Sequence, residues 1–165
     1  MVPVRCIDVG FCIGGCGEVM TKVTVFDIDG TLANIEHRRS FVATKPKNWK
    51  AFNAGIVNDT PHEDIVDLAI LFWEAGFNVV LCSGRGEEHR DVTVKQMEDF
   101  EVPFTKLYMR PAKDHRPDDV IKVELLQQIR EDFGNPHLWF DDRTRVVNAI
   151  RNEGVRVLQV APGDF

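Results

Sequence analysis

An α/β fold, a Rossmann-like parallel sheet with helices on both faces, is predicted by two observations: short β-branched or apolar runs alternate with longer stretches of helical periodicity, and turn residues fall between them. A third observation, a polar stretch that interrupts the alternation straight after the first run, predicts a small cap insertion there.

Val23 to Asp27 is the first predicted strand, a run of Val, Thr and Phe that ends in an acid. Where its crossover helix should begin, residues 33–58 stay polar and carry Arg38, Arg39, Pro46, Trp49 and Phe52. An insertion at the carboxyl end of a strand sits where open α/β sheets bind ligands, and Trp49 and Phe52 give this one something to pack. Helices are predicted for Pro61 to Ala75, Glu87 to Phe100, Asp118 to Phe133 and Arg143 to Glu153. The remaining strands are Asn78 to Cys82, Lys106 to Met109, Leu138 to Asp141 and Arg156 to Val160. Gly76, Pro103, Gly134-Asn135-Pro136 and Gly154 supply the breaks. Residues 1–20 show little periodicity and several glycines; they read as a disordered leader or as an extension upstream of a start at Met20. The expected domain is therefore 21–165.

With 165 residues, 44% of them apolar and 28% charged, the chain fits one globular domain with a real core. It has no apolar run of 18 residues and no basic-then-apolar secretory leader, so the expectation is a cytoplasmic protein without a membrane partner. A formal charge of -6 argues against holding duplex nucleic acid mainly through phosphate neutralisation, although a local basic patch stays open. Cys6, Cys12 and Cys16 crowd the first sixteen residues and Cys82 stands alone on a predicted strand, unlike a secreted disulfide framework. Their C-x5-C-x3-C spacing lacks the close cysteine hook of a zinc site. None of the four has an arginine six positions on, which excludes cysteine-phosphatase chemistry.

Chemistry concentrates at the ends of elements. Val25-Phe26-Asp27-Ile28-Asp29-Gly30-Thr31-Leu32 runs from a strand into two carboxylates one residue apart; such acids repel unless they share a cation or a proton, so a divalent metal is expected. A plain Asp29-Gly30 turn would leave Asp27 unexplained. The second strand ends in Ser83-Gly84-Arg85, where a hydroxyl and backbone N–H groups suit a phosphate oxygen and Arg85 adds a charged fork. Asp118 and Lys122, four apart at the start of a helix, can pair on one face, as any surface ion pair would. Leu138-Trp139-Phe140 then runs into Asp141-Asp142, so three strands deliver acids or a hydroxyl to one end of one sheet.

These four elements, in this order, resemble the motifs of the haloacid-dehalogenase (HAD) phosphatase superfamily from about Lys22 onward. The resemblance implies that Asp27 attacks phosphorus and that Asp29 acts as general acid and then base. It also implies that Ser83 and Lys122 hold phosphoryl oxygens, and that Asp27, Asp29, Asp141 and Asp142 hold Mg2+. Ser83-Gly84-Arg85, the stretch from Arg116 to Lys122, Asp141 to Thr144 and the closing Gln159 to Phe165 further resemble the 3'-phosphatase domain of bacteriophage polynucleotide kinase-phosphatases. That likeness adds Arg38, Arg85 and Asp118 to the expected phosphate-binding set, which also takes in Thr31 and Gly84.

The function so implied is Mg2+-dependent removal of a 3'-phosphate from nucleic acid ends or nucleotides through an aspartyl-phosphate. Because Asp29 must carry a proton, its pKa is expected closer to neutrality than a free acid's. A small-molecule or 5'-nucleotide phosphatase, or a non-catalytic phosphate-binding module, remains an alternative. Arg38, Arg39, Lys45, Lys47 and Lys50 concentrate positive charge in the cap, where a phosphodiester backbone would pass or where an ordinary solvated loop would lie. No G-x-x-x-x-G-K-[ST] sequence is present, so kinase activity is not predicted, and no stable protein partner is expected.

Overall fold

The computed structural model describes residues 22–163. The expected leader, with Cys6, Cys12 and Cys16, lies outside the described residues. Along the chain come β1 (Val23–Phe26), β2 (Ala33–Asn34), α1 (Glu36–Ala43), α2 (Trp49–Ala54), β3 (Thr60–Pro61) and α3 (Glu63–Glu74). There follow β4 (Asn78–Gly86), α4 (Arg90–Asp99), β5 (Lys106–Arg110), α5 (Asp118–Phe133), β6 (Leu138–Asp141), α6 (Thr144–Asn152) and β7 (Val157–Gln159).

Five strands form one parallel sheet in the order β5-β4-β1-β6-β7. β1 is central, and the chain continues to β4 on one side and later to β6 on the other, which makes its carboxyl end a topological switch point. Both faces of the sheet are covered, so the strands read as continuous apolar runs whose alternate side chains go to different cores. Phe26, Val79, Leu81 and Phe140 pack with Val66 and Ala69 of α3 and Met97 of α4. Val25, Val80, Cys82 and Trp139 pack with Ile121, Leu125 and Ile129 of α5 and Val146 and Ile150 of α6. Phe26 and Phe140 stack at 4.5 Å across neighbouring strands, which locks the register of β1 against β6 at the end nearest Asp27.

Two local features differ from expectation. β4 does not stop at Cys82 but continues through Gly86, with its pairing to β5 shifting between Ser83 and Gly86. This irregularity swings Gly84 and Arg85 out of the regular ladder, which is how bulges re-aim side chains beside sites. The helix expected from Glu87 begins as a 3-10 turn, Glu87–His89, before α4. Residues 33–58 hold α1, α2 and a 3-10 turn at Gly55–Asn58, and the antiparallel β2–β3 pair ties the ends of this segment together. No helix of the described residues is long and apolar enough to cross a membrane.

Candidate active site

Asp27 follows β1 directly and its backbone N–H donates to the Phe140 carbonyl at 2.9 Å, so the switch point fixes its position. Asp27, Asp141 and Asp142 are all buried and bring carboxylate oxygens within 4.8 Å of one another. Lys122, from the second turn of α5, enters this group: its Nζ lies 2.7 Å from Asp27 Oδ1 and 2.8 Å from Asp141 Oδ2. It is four residues after Asp118, whose Oδ2 is 3.7 Å away, so the helical pair expected from the sequence is present, with Lys122 buried and Asp118 half-buried. Burial opposes the charge of Lys122, yet Asp141, Asp27 and Asp118 outweigh it and hold the ammonium well above its usual range.

One cation is too little for three acids. Burial pushes Asp27 well up, helped by Asp141 and Asp142 and opposed by Lys122. Burial and then Asp141 raise Asp142 to about 6. Asp142 Oδ1 is buried and has no hydrogen-bond partner, a costly state for a carboxylate oxygen. Three converging carboxylates, one with an orphaned oxygen, suit a hard divalent cation such as Mg2+. The Gly30 turn, at φ 90°, lies so close that a Cβ there would collide with the Asp142 carboxylate.

Asp29 does not join this cluster, contrary to the expected metal set, because two guanidiniums hold its carboxylate. Arg38 Nη2 and Arg85 Nη2 each lie 2.6 Å from Asp29 Oδ1. Burial favours the neutral acid, but Arg85 and Arg38 outweigh it and keep Asp29 well below the usual carboxylate range. The upward shift expected for Asp29 is thus not found in this state. Behind the arginines stands Asp59, whose Oδ1 accepts from Arg38 Nε at 2.6 Å and whose Oδ2 accepts from Arg38 Nη2 at 2.7 Å and Arg85 Nη2 at 3.2 Å. His37, Gln96 and Thr93 complete the network, through Asp59 and, for Thr93, Arg85. The Arg38 guanidinium also lies 4.2 Å from the Phe52 ring centre.

A cleft of about 320 Å³ opens over these groups, with Asp27, Asp29, Gly84, Arg85 and Asp118 in its lining. Asp118 is held by Arg110 at 3.1 Å and Arg143 at 3.4 Å; burial is outweighed by Lys122, Arg143 and Arg110, so its carboxyl is lowered. Thr31 and Ser83 do not line the cleft as expected of phosphate contacts: both are fully buried. The Ser83 hydroxyl accepts from the Arg85 backbone N–H at 3.2 Å and supports the bulge, while the Thr31 hydroxyl has no partner. Of the five basic residues expected to form a patch, only Lys50 lines the cleft; Arg38 is buried and Arg39 pairs with Glu36. The cleft's positive rim comes instead from Arg110, Lys113, Arg116 and Arg143. Arg110, at the end of a predicted strand, is a fourth strand end on the same edge of the sheet, whereas nothing in the sequence around Asp59 marks that residue.

A Rossmann-like sheet whose central strand ends in Asp27 beside Lys122, Asp141 and Asp142 defines a HAD-type phosphatase. A family model described as the polynucleotide kinase PNKP phosphatase domain matches residues 21–165, and the chain belongs to that family. Among solved structures it is similar to a chain of the Pnkp1/Rnl/Hen1 complex at 25% identity and a TM-score of 0.73, covering 99% of this chain and 54% of that one. A chain of the Pnkp1/Rnl/Hen1 RNA repair complex gives 24% identity and a TM-score of 0.76, with 99% and 50% covered. The present chain thus spans about half the length of those relatives. A HAD family enzyme from Bacteroides thetaiotaomicron, in complex with magnesium and inorganic phosphate, shares the fold at 16% identity and a TM-score of 0.57, with 88% and 96% covered.

Proposed function

We propose that this phosphatase removes the 3'-phosphate from nucleic acid ends through an aspartyl-phosphate on Asp27. The observation that carries the reading is the buried meeting of Asp27, Lys122, Asp141 and Asp142 beneath the cleft. In the first step an Asp27 carboxylate oxygen attacks phosphorus, the bond from phosphorus to the sugar oxygen breaks, and Asp29 gives its proton to that leaving oxygen. In the second, Asp29 takes a proton from water as its oxygen attacks phosphorus, the bond to Asp27 breaks, and inorganic phosphate leaves. Asp27, Asp141 and Asp142 would hold Mg2+, which supplies charge neutralisation for the phosphoryl oxygens. Lys122 and Arg85 add fixed positive charge at the same place.

Asp29 needs a proton for the first step, whereas Arg38 and Arg85 keep it ionised here. An arriving phosphate dianion resolves the conflict if it draws the Arg85 fork, which lines the cleft, onto its own oxygens. Asp29, half-buried and relieved of one guanidinium, then binds a proton more readily.

Hydrolysis of a 3'-phosphorylated oligonucleotide, the same oligonucleotide phosphorylated at its 5' end, and free mononucleotides tests the reading, with and without Mg2+. The expected order favours the 3'-phosphate, with hydroxylamine-sensitive phosphate trapped on the wild-type protein and none on Asp27→Asn. Full activity of Asp27→Asn refutes the nucleophile. A preference for free nucleotides or 5'-phosphates refutes the substrate and supports a small-molecule phosphatase, a role compatible with so small a cleft.

A further inference from the structure

Most of the cleft lining is charged or polar, yet the first residue of α2, Trp49, lines it and is 48% exposed. An indole left half in solvent beside Asp27 and Asp29 offers a large flat apolar surface that the fold itself does not use. The ring is nevertheless held in place. Phe52, one turn on, meets it edge to face at 5.7 Å and 88°, and Phe52 is itself buried under the Arg38 guanidinium. Asn48 caps the short helix by accepting from the Ala51 N–H at 3.0 Å. The chain of contacts from Asp29 through Arg38 and Phe52 therefore sets the position of Trp49 relative to the reacting phosphate. Two exposed lysines flank the ring: Lys47 Nζ is 5.3 Å from its centre, and Lys50 follows it in the cleft lining.

We propose that Trp49 is a specificity-determining residue, the stacking platform for the nucleobase of the nucleotide that carries the phosphate. This inference rests on the 3'-phosphatase reading and names what the site grips beyond the phosphate. A cleft of about 320 Å³ is at the small end of ligand pockets, roughly 300–1,000 Å³, so it takes one nucleotide unit and leaves the rest of a strand outside. Every base has a π-face, so the grip is tolerant of sequence. The exposed lysines at 47 and 50, beside the ring, offer positive charge to the next phosphate of such a strand.

The test compares kcat/KM of the full chain on two 3'-phosphorylated oligonucleotides that differ only at the last residue, one bearing a base and the other abasic. Wild type is expected to prefer the base-bearing end by about tenfold, the scale of one base-to-aromatic stack. Trp49→Ala should bring that ratio near one, and Trp49→Phe should retain most of it. The ratio within each protein is the readout, and the wild-type comparison stands even if a variant folds poorly. A preference that survives in Trp49→Ala, or its absence from a wild type that hydrolyses both oligonucleotides, overturns the proposal alone. If wild type hydrolyses neither yet releases phosphate from glycerol phosphate, the 3'-phosphatase reading falls and this inference falls with it.

Discussion

Asp59 carries more of the site than its place in the sequence suggests, because it accepts from Arg38 through both carboxylate oxygens while Arg85 reaches one of them. Removing this buried partner leaves two guanidiniums to share the single carboxylate of Asp29, so Asp59→Ala is expected to cost about 3 kcal/mol of stability, read by urea denaturation. Asp59→Asn keeps the shape but not the charge; the arginines should then collapse onto Asp29, and kcat/KM should fall by about 100-fold or more, on the scale of a lost electrostatic group. Equal activity of Asp59→Asn and wild type would show that the arginines need no anchor. Asp142 gives a second prediction, this time in pH. Its carboxyl, near 3.9 when unfolded, is raised to about 6 in the fold, so the folded state binds the proton more tightly. The sign follows: the contribution is fully present below about 4 and is lost as pH rises through about 6, on the order of 2–3 kcal/mol. Asp29 runs the other way, its contribution being present above the unfolded value and lost only in acid. A cation bound by Asp142 cancels the penalty. The Tm gain from Mg2+ over chelator should therefore be large at pH 8 and small at pH 4.5. Asp142→Asn should raise the metal-free Tm at pH 8 and abolish most of the Mg2+ gain; an equal gain at both pH values would refute the carboxylate cluster as its source.

At the scale of elements, all five strands of the main sheet and the four long helices were legible, because the central strands are short apolar runs buried on both faces and each helix keeps an apolar stripe such as Ile121, Leu125 and Ile129. The convergence of Asp27, Asp141 and Asp142 was legible because parallel strands present their carboxyl ends together, while Asp118 and Lys122 reach the same place from the first turns of α5. What escaped was local and conditional. The extension of β4 past Cys82 depends on pairing with β5, so no pattern within Ser83-Gly84-Arg85 reveals it. The burial of Arg38 depends on Asp59 and Phe52 meeting it from outside its own helix, and its charge made it look like surface. The ionised state of Asp29 is set by partners 9 and 56 residues away, so its own motif does not show it. The β4 irregularity yields its own prediction. Gly84 approaches so closely that a Cβ would collide with the Asp118 carboxylate, which Arg110, Arg143 and Lys122 already fix. Gly84→Ala must break that pattern, so kcat/KM should drop roughly tenfold or more for a stability cost of about 1–3 kcal/mol, the usual penalty of a clash in a packed site. Activity unchanged alongside an unchanged melting curve would show the bulge to be pliable.

For the molecule as a whole, a formal charge of -6 coexists with a cleft whose rim is basic, and the balance sets how much of a strand it can grip. Much of the rim charge is already engaged: Arg110 and Arg143 with Asp118, and Arg116 with Asp114 and Glu124. Lys50 and Lys113 are exposed lining residues with no ion pair to a described acid, so they are the cations best placed to meet incoming phosphates. Each phosphate neutralised on a single strand adds about 0.7 to the slope of log affinity against log salt. Two such contacts give a slope near -1.4 for kcat/KM on a 3'-phosphorylated oligonucleotide, or about a 25-fold loss between 50 and 500 mM salt. Charge reversal at both lysines, Lys50→Glu with Lys113→Glu, should flatten that dependence and lower kcat/KM most at low salt, where screening is weakest. A 3'-mononucleotide, which has no further phosphate to engage, should show a shallow slope in either protein. A slope steeper than about -3 for wild type would mean that four or more phosphates are gripped, which the two lysines of this cleft cannot supply.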